Sequence, residues 1–189
     1  CIRDRLKLRE RLAKARMYGE RQVLASFGRR GLKPKGRLLC YHSVGQPELG
    51  VNDCSPKRFR RHIEFAAALG FRFVPAARIA NGLGGARDIA ITFDDGWKSV
   101  FTTAAPLLAE HGIPLTLFVA TGFIEGQSEW HRPRTVTWDQ LGALSNMGVE
   151  IGSHSVTHPD FGTIDSQMAI EELSRSRVTL KSRLGIEVD

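Results

Sequence analysis

The 189-residue chain has only three cysteines, Cys1, Cys40 and Cys54, and no C-x-x-C pair. That excludes the disulfide framework of a small stapled domain and cysteine-paired zinc or redox chemistry. Cys40 lies in an apolar run and is expected as a small core residue. No apolar run approaches the ~18 residues of a membrane span. The charged N-terminus has no apolar h-region, so no signal peptide is visible; the chain opens on Cys1 rather than Met, and its native start is expected to be missing. Internal repeats and low-complexity linkers are absent as well.

Hydrophobic residues make up 42% and charged residues 25%, an ordinary balance for one domain able to bury a sizeable core. The net charge of +7 is gathered at one end. Residues 1–37 hold 13 Lys/Arg against 3 Asp/Glu, while the rest of the chain is slightly acidic. This arm is expected as a solvated helix packed on the body through Leu6, Leu12, Ala13, Met17 and Leu24. Its alternative use is contact with an anionic polymer or membrane surface. Its charges are not regularly interleaved with aromatic residues for base stacking, so nucleic acid is not an expected partner.

Beyond the arm, strands and helices alternate. Strands are predicted over residues 37–42, expected to be buried, and over 71–74, 88–93, 114–120 and 149–153. Ser55-Pro56 opens a helix that Gly70 closes. Lys98 to His111 reads as an amphipathic helix ended by Gly112. Thr137-Trp138-Asp139-Gln140 fits a capping box. A last long helix is predicted from about Asp165 to Leu184. Residues 121–136, with Trp130, His131 and Arg132, form the longest loop and are placed to overhang a site. Strand-helix alternation implies parallel strands with right-handed crossovers, in a barrel or a doubly wound sheet.

Two strand ends carry reactive side chains: Asp94-Asp95-Gly96 after the third strand, and His154-Ser-Val-Thr-His158-Pro159 after the fifth. Carboxyl ends of parallel strands share one face, so both clusters should meet on one rim. Histidines four apart face the same way if one helical turn follows the strand. Such a pair with one aspartate can bind a divalent ion and leave a position open for water. The ion would activate that water, and a second carboxylate could take its proton. No glutamate follows His154, so the pattern is not that of the zincins; Asp94 and Asp95 can divide the ligand and base roles between them. Taken singly, the Asp-Asp-Gly is equally a strand-ending turn and the histidines an ordinary loop.

The segments ITFDDG and IGSHSVTHPD closely resemble the first two motifs of the polysaccharide deacetylase (NodB-homology) family, carbohydrate esterase family 4. LLCYHSVG and TWDQLGALSNMGVEIGSH resemble its bacterial branch with a Tyr-His pair on the first strand. The resemblance covers residues 37–189, which divides the chain into an arm, 1–36, and a deacetylase domain, 37–189. It implies an α/β fold, a distorted (β/α) barrel of the NodB type truncated to about five β/α units. It makes Asp94 the general base and Asp95, His154 and His158 the metal ligands, with Ser155 bracing the second motif. Tyr41 and His42 sit at a strand end and are expected to line the pocket, with packing under the rim as the alternative; Trp97 is expected to stack on a sugar ring or to cover the following helix.

The implied reaction is hydrolysis of N-acetyl groups on N-acetylated hexosamine polymers or oligomers, with zinc, or cobalt, nickel or iron, as cofactor. The implied setting is the cell envelope or outside the cell. The family's later Arg-x-Pro and Leu-x-His segments are not found before Asp189, so the chain is expected to be incomplete and poorly stable or inactive alone. Two further readings stay open: a non-catalytic sugar- or metal-binding remnant, and a deacylase of a lipid-linked amino sugar. Oligomeric state is not legible.

Overall fold

A computed structural model describes residues 35–188. All but the last two residues of the basic arm therefore lie outside the described residues. Seven strands follow: β1 (Arg37–Tyr41), β2 (Ser43–Val44), β3 (Asp53–Cys54), β4 (Arg72–Phe73), β5 (Asp88–Phe93), β6 (Leu115–Val119) and β7 (Glu150–Ser153). β1, β5, β6 and β7 lie side by side in a parallel sheet, and β4 joins the start of β5. These five are the strands predicted from the sequence. The small parallel pair of β2 and β3 was not expected.

Residues Asp88–Phe93 are buried throughout, which is why β5 reads as a continuous run instead of alternating. β1 departs from expectation. It is an edge strand among the described residues, with Leu38 53% exposed and Cys40 exposed as well, so this apolar run is not a fully buried strand. Closure of the sheet into a barrel is not seen among the described residues.

The helices are α1 (Pro56–Ala68), α2 (Ala76–Ala80), α3 (Ala105–Ala109), α4 (Thr121–Ile124), α5 (Trp138–Asn146) and α6 (Ser166–Leu184). Local chemistry sets their starts. Ser55 Oγ accepts from the Arg58 amide, Thr137 and Gln140 complete a reciprocal capping box, and Asp165 accepts from the Met168 amide. The helix predicted over 98–111 forms over residues 98–109 but is not regular throughout. Val100–Ala104 winds as a π-turn before α3, and Pro106 lacks the N–H that a continuous helix would use there. Phe59 and Ile63 of α1, Val100, Leu108, Leu117, Leu141 and Leu180 pack with Ile91 and Phe93 in one core. No helix of the described residues is long and apolar enough to cross a membrane.

Candidate active site

The parallel register carries both clusters to one edge of the sheet. Tyr41 pairs with Phe93, Leu117 with both Phe93 and Ile151, and Val119 with Ser153. The backbone continues the stitching one step beyond the strands. The Asp94 amide donates to Tyr41, the Ala120 amide to Asp95 and the His154 amide to Val119. Residues remote in sequence thus converge because their strands end together.

At the turn, Asp95 adopts a left-handed backbone (φ 72°), a conformation that aspartate tolerates better than most residues. Gly96 follows with φ 87°, and a Cβ there would crowd Val119 at 3.3 Å. This sharp reversal turns the Asp95 carboxylate inward. One oxygen, Oδ2, accepts from Trp97 Nε1 at 2.8 Å. The other, Oδ1, is buried and accepts no hydrogen bond. It faces His154 Nε2 at 3.6 Å and His158 Nε2 at 3.4 Å.

The two imidazoles converge, with ring centroids 4.8 Å apart, but not through the expected helical turn. The chain from His154 to His158 is irregular, with left-handed residues at Ser155 (φ 67°) and His158 (φ 55°). Ser155 Oγ accepts from the His158 amide at 3.1 Å. Its carbonyl and that of Val156 accept from Thr121 and Gly122 of α4. Gly122 is required at this contact, since a Cβ would stand 2.7 Å from the Val156 carbonyl oxygen. Phe123 lies beside the His158 ring, and His131 stacks on Phe123 at 3.8 Å. Residues 121–136 therefore do flank the site, with Trp130 edge-on to Trp97.

The three donors fit a small divalent cation. Ligand atoms bound at ~2.0–2.1 Å around one tetrahedral ion lie roughly 3.3–3.4 Å apart. The observed separations from Oδ1 are close to that, and an orphaned buried carboxylate oxygen is costly unless something outside the chain satisfies it. Burial holds the His154 imidazole below its usual pKa despite the nearby Asp94 and Asp95, which favours the neutral form a cation needs.

Asp94 is half-buried beside this group, and its Oδ2 accepts from the Cys40 thiol at 3.0 Å. Cys40, expected in the core, is instead exposed at the rim. Partial removal from water and the Asp94 carboxylate push its thiol up to about 12, so it stays an S–H donor at neutral pH. His42 joins Cys40 and Asp94 in a second group of close donor atoms. Tyr41 stacks on Phe93, sits edge-on to Phe59, and exchanges a hydrogen bond with His62 Nδ1 at 3.0 Å. Trp97 is only 4% exposed, which leaves its ring no open face for stacking a sugar. The Trp97 bond to Asp95, the Cys40 thiol on Asp94 and a carboxylate from α6 described below were missed in the sequence. Only Trp97, adjacent to the Asp-Asp-Gly, offered a local signal.

A profile of the family described as polysaccharide deacetylase matches residues 82–189. The YxkH protein of Bacillus subtilis (strain 168) is 25% identical over 146 residues, covering 74% of this chain and 49% of that one. A chitooligosaccharide deacetylase of Sinorhizobium fredii is 32% identical over 96 residues, covering 49% of this chain and 40% of its own length. The chain thus spans about half or less of these curated relatives. Among solved structures, IcaB from Ammonifex degensii superimposes with a TM-score of 0.66 at 25% identity, over 81% of this chain and 71% of that one.

Proposed function

The chain belongs to the polysaccharide deacetylase family, and on that premise we propose that it removes N-acetyl groups from N-acetylated hexosamine polymers or oligomers. The observation that carries this reading is the orphaned Asp95 Oδ1 turned toward two imidazole nitrogens, with a second carboxylate beside it. Asp95, His154 and His158 would hold a divalent ion, zinc first and cobalt, nickel or iron with the same donors. Bound there, the ion would polarise the amide carbonyl and acidify the attacking water.

Asp94 is the general base, taking the water's proton as oxygen adds to the acetyl carbon. As the C–N bond breaks, Asp94 passes that proton to the departing nitrogen, so acetate and the free sugar amine are released. The Cys40 thiol occupies Asp94 Oδ2, which leaves Oδ1 as the oxygen for that proton. Trp97 holds Asp95 Oδ2 so that Oδ1 stays aimed at the histidines. Ser155 braces the loop between them. His42, half-buried beside Asp94, would meet substrate, while Tyr41, stacked on Phe93, would support the rim.

The test is metal content and acetate release. Purified wild type should hold about one ion per chain, and His154→Ala and Asp95→Ala should lose it. Asp94→Asn should keep the ion while acetate release from N-acetylglucosamine oligomers falls about 10²–10⁴-fold. A folded chain without affinity for zinc, or acetate release that is the same in Asp94→Asn as in wild type, would overturn this reading.

A further inference from the structure

The stretch between the two histidines is irregular, and two of its residues sit in the left-handed region, a conformation that costs non-glycine residues roughly 1–2 kcal/mol each. Something must hold it. On its inner side α4 donates to the carbonyls of Ser155 and Val156. Its outward amides remain, and both are taken by one side chain. Val156 N and Thr157 N each donate to Glu172 Oε2 at 2.8 Å, and Thr157 Oγ1 donates to Oε1 at 3.0 Å.

Glu172 stands on a well-anchored element. The inward face of α6 runs through Ala169, Glu172, Ser176, Leu180 and Leu184 at helical spacing, and Ser176 and Leu180 are fully buried. Glu172 is the charged member of that face. Burial alone would raise its pKa, but the bonds from Thr157 and Val156 outweigh it and hold the carboxyl below its usual range. It therefore receives these donors as an anion at neutral pH, when such bonds are strongest.

We propose that Glu172 is a positioning residue that shapes the His154–His158 segment for metal binding by clamping its amides from outside. This rests on the reading above that both histidines are ligands. Glu172 touches neither imidazole. It acts on the backbone that aims them, so its removal should loosen the pair without removing a donor.

The test uses the whole chain and zinc itself, with affinity read by competition against a chromophoric chelator and amide exchange followed over residues 154–158. Glu172→Ala should bind zinc about 10–100-fold more weakly, the usual cost of losing support behind a metal ligand. Its amides at 156 and 157 should exchange faster with or without zinc. Glu172→Gln keeps a carbonyl oxygen for both amides but loses the charge, and should weaken zinc binding only a few-fold. Glu172→Asp keeps the charge but withdraws it by one methylene, and should fall between them. If the alanine variant does not fold, the Gln and Asp pair decides the matter in the same order. Wild-type affinity and exchange in folded Glu172→Ala, or in Glu172→Asp when alanine does not fold, would overturn the proposal. A wild type without zinc affinity would sink the metal site instead, and the exchange data would still show whether Glu172 holds the loop.

Discussion

At the first residue of β5, Asp88 is fully buried and both its oxygens are occupied. Arg72 donates to Oδ1 at 2.7 and 3.0 Å, the Gly85 amide donates to Oδ2 at 2.8 Å, and Arg78 stands 3.7 Å away. Two residues past the other end of the same strand, Asp95 is nearly as buried at 6% exposure, yet only Oδ2 has a partner. Folding has completed the first carboxylate and left the second half-finished. An unsatisfied buried acceptor costs about 1–3 kcal/mol, which supports the proposed ligand role of Asp95. The difference sets a carboxylate completed within the fold at one end of β5 against one with a free oxygen past the other end.

The largest effect should come from exchanging their fates. Asp95→Asn should abolish zinc uptake without lowering the unfolding midpoint of the metal-free protein. Asp88→Asn should do the reverse, lowering that midpoint while zinc affinity stays. Zinc titration and thermal unfolding of both variants check this, and zinc binding surviving in Asp95→Asn would erase the distinction. A smaller effect sharpens it. Trp97→Phe keeps the ring but removes the N–H on Asp95 Oδ2, and should weaken zinc binding about 10–100-fold. An unchanged affinity would mean that Asp95 needs no orientation.

The smallest effect concerns pH. The Gly85 amide leads the groups that hold the Asp88 carboxyl below the usual aspartate range, with Arg72 and Arg78 reinforcing it against burial. A depressed carboxyl contributes stability that is present above the unfolded value and lost as pH falls through the folded one. Acid unfolding of wild type should therefore carry an Asp88 component as pH falls below the usual aspartate range. Asp88→Asn should lack it, and identical acid-unfolding curves would remove Asp88 from the account.

Much of the fold was legible because its signals are local. The caps at Ser55, Thr137 and Asp165 each use a side chain and an amide three residues on, a distance a sequence reader sees directly. The five strands of the main sheet stood out as short apolar runs between turn residues. The exposure of β1 did not, because an edge strand and a central strand share the same composition until their neighbours are known. Cys40 was misplaced for that reason. The π-turn in the helix after β5 was marked only by Pro106, and nothing in the residues distinguishes such a turn from a regular one.

By itself the sequence determined which donors exist and that they gather on one rim, since parallel strands must end on a common face and both clusters follow strand ends directly. Only the tertiary structure decided their aim. Which oxygen of Asp95 is free depends on a left-handed turn and on Trp97. The convergence of His154 and His158 depends on α4 from within and on Glu172 from without. Those are contacts between segments distant along the chain, and side-chain direction past a strand end is set by such neighbours rather than by residue order.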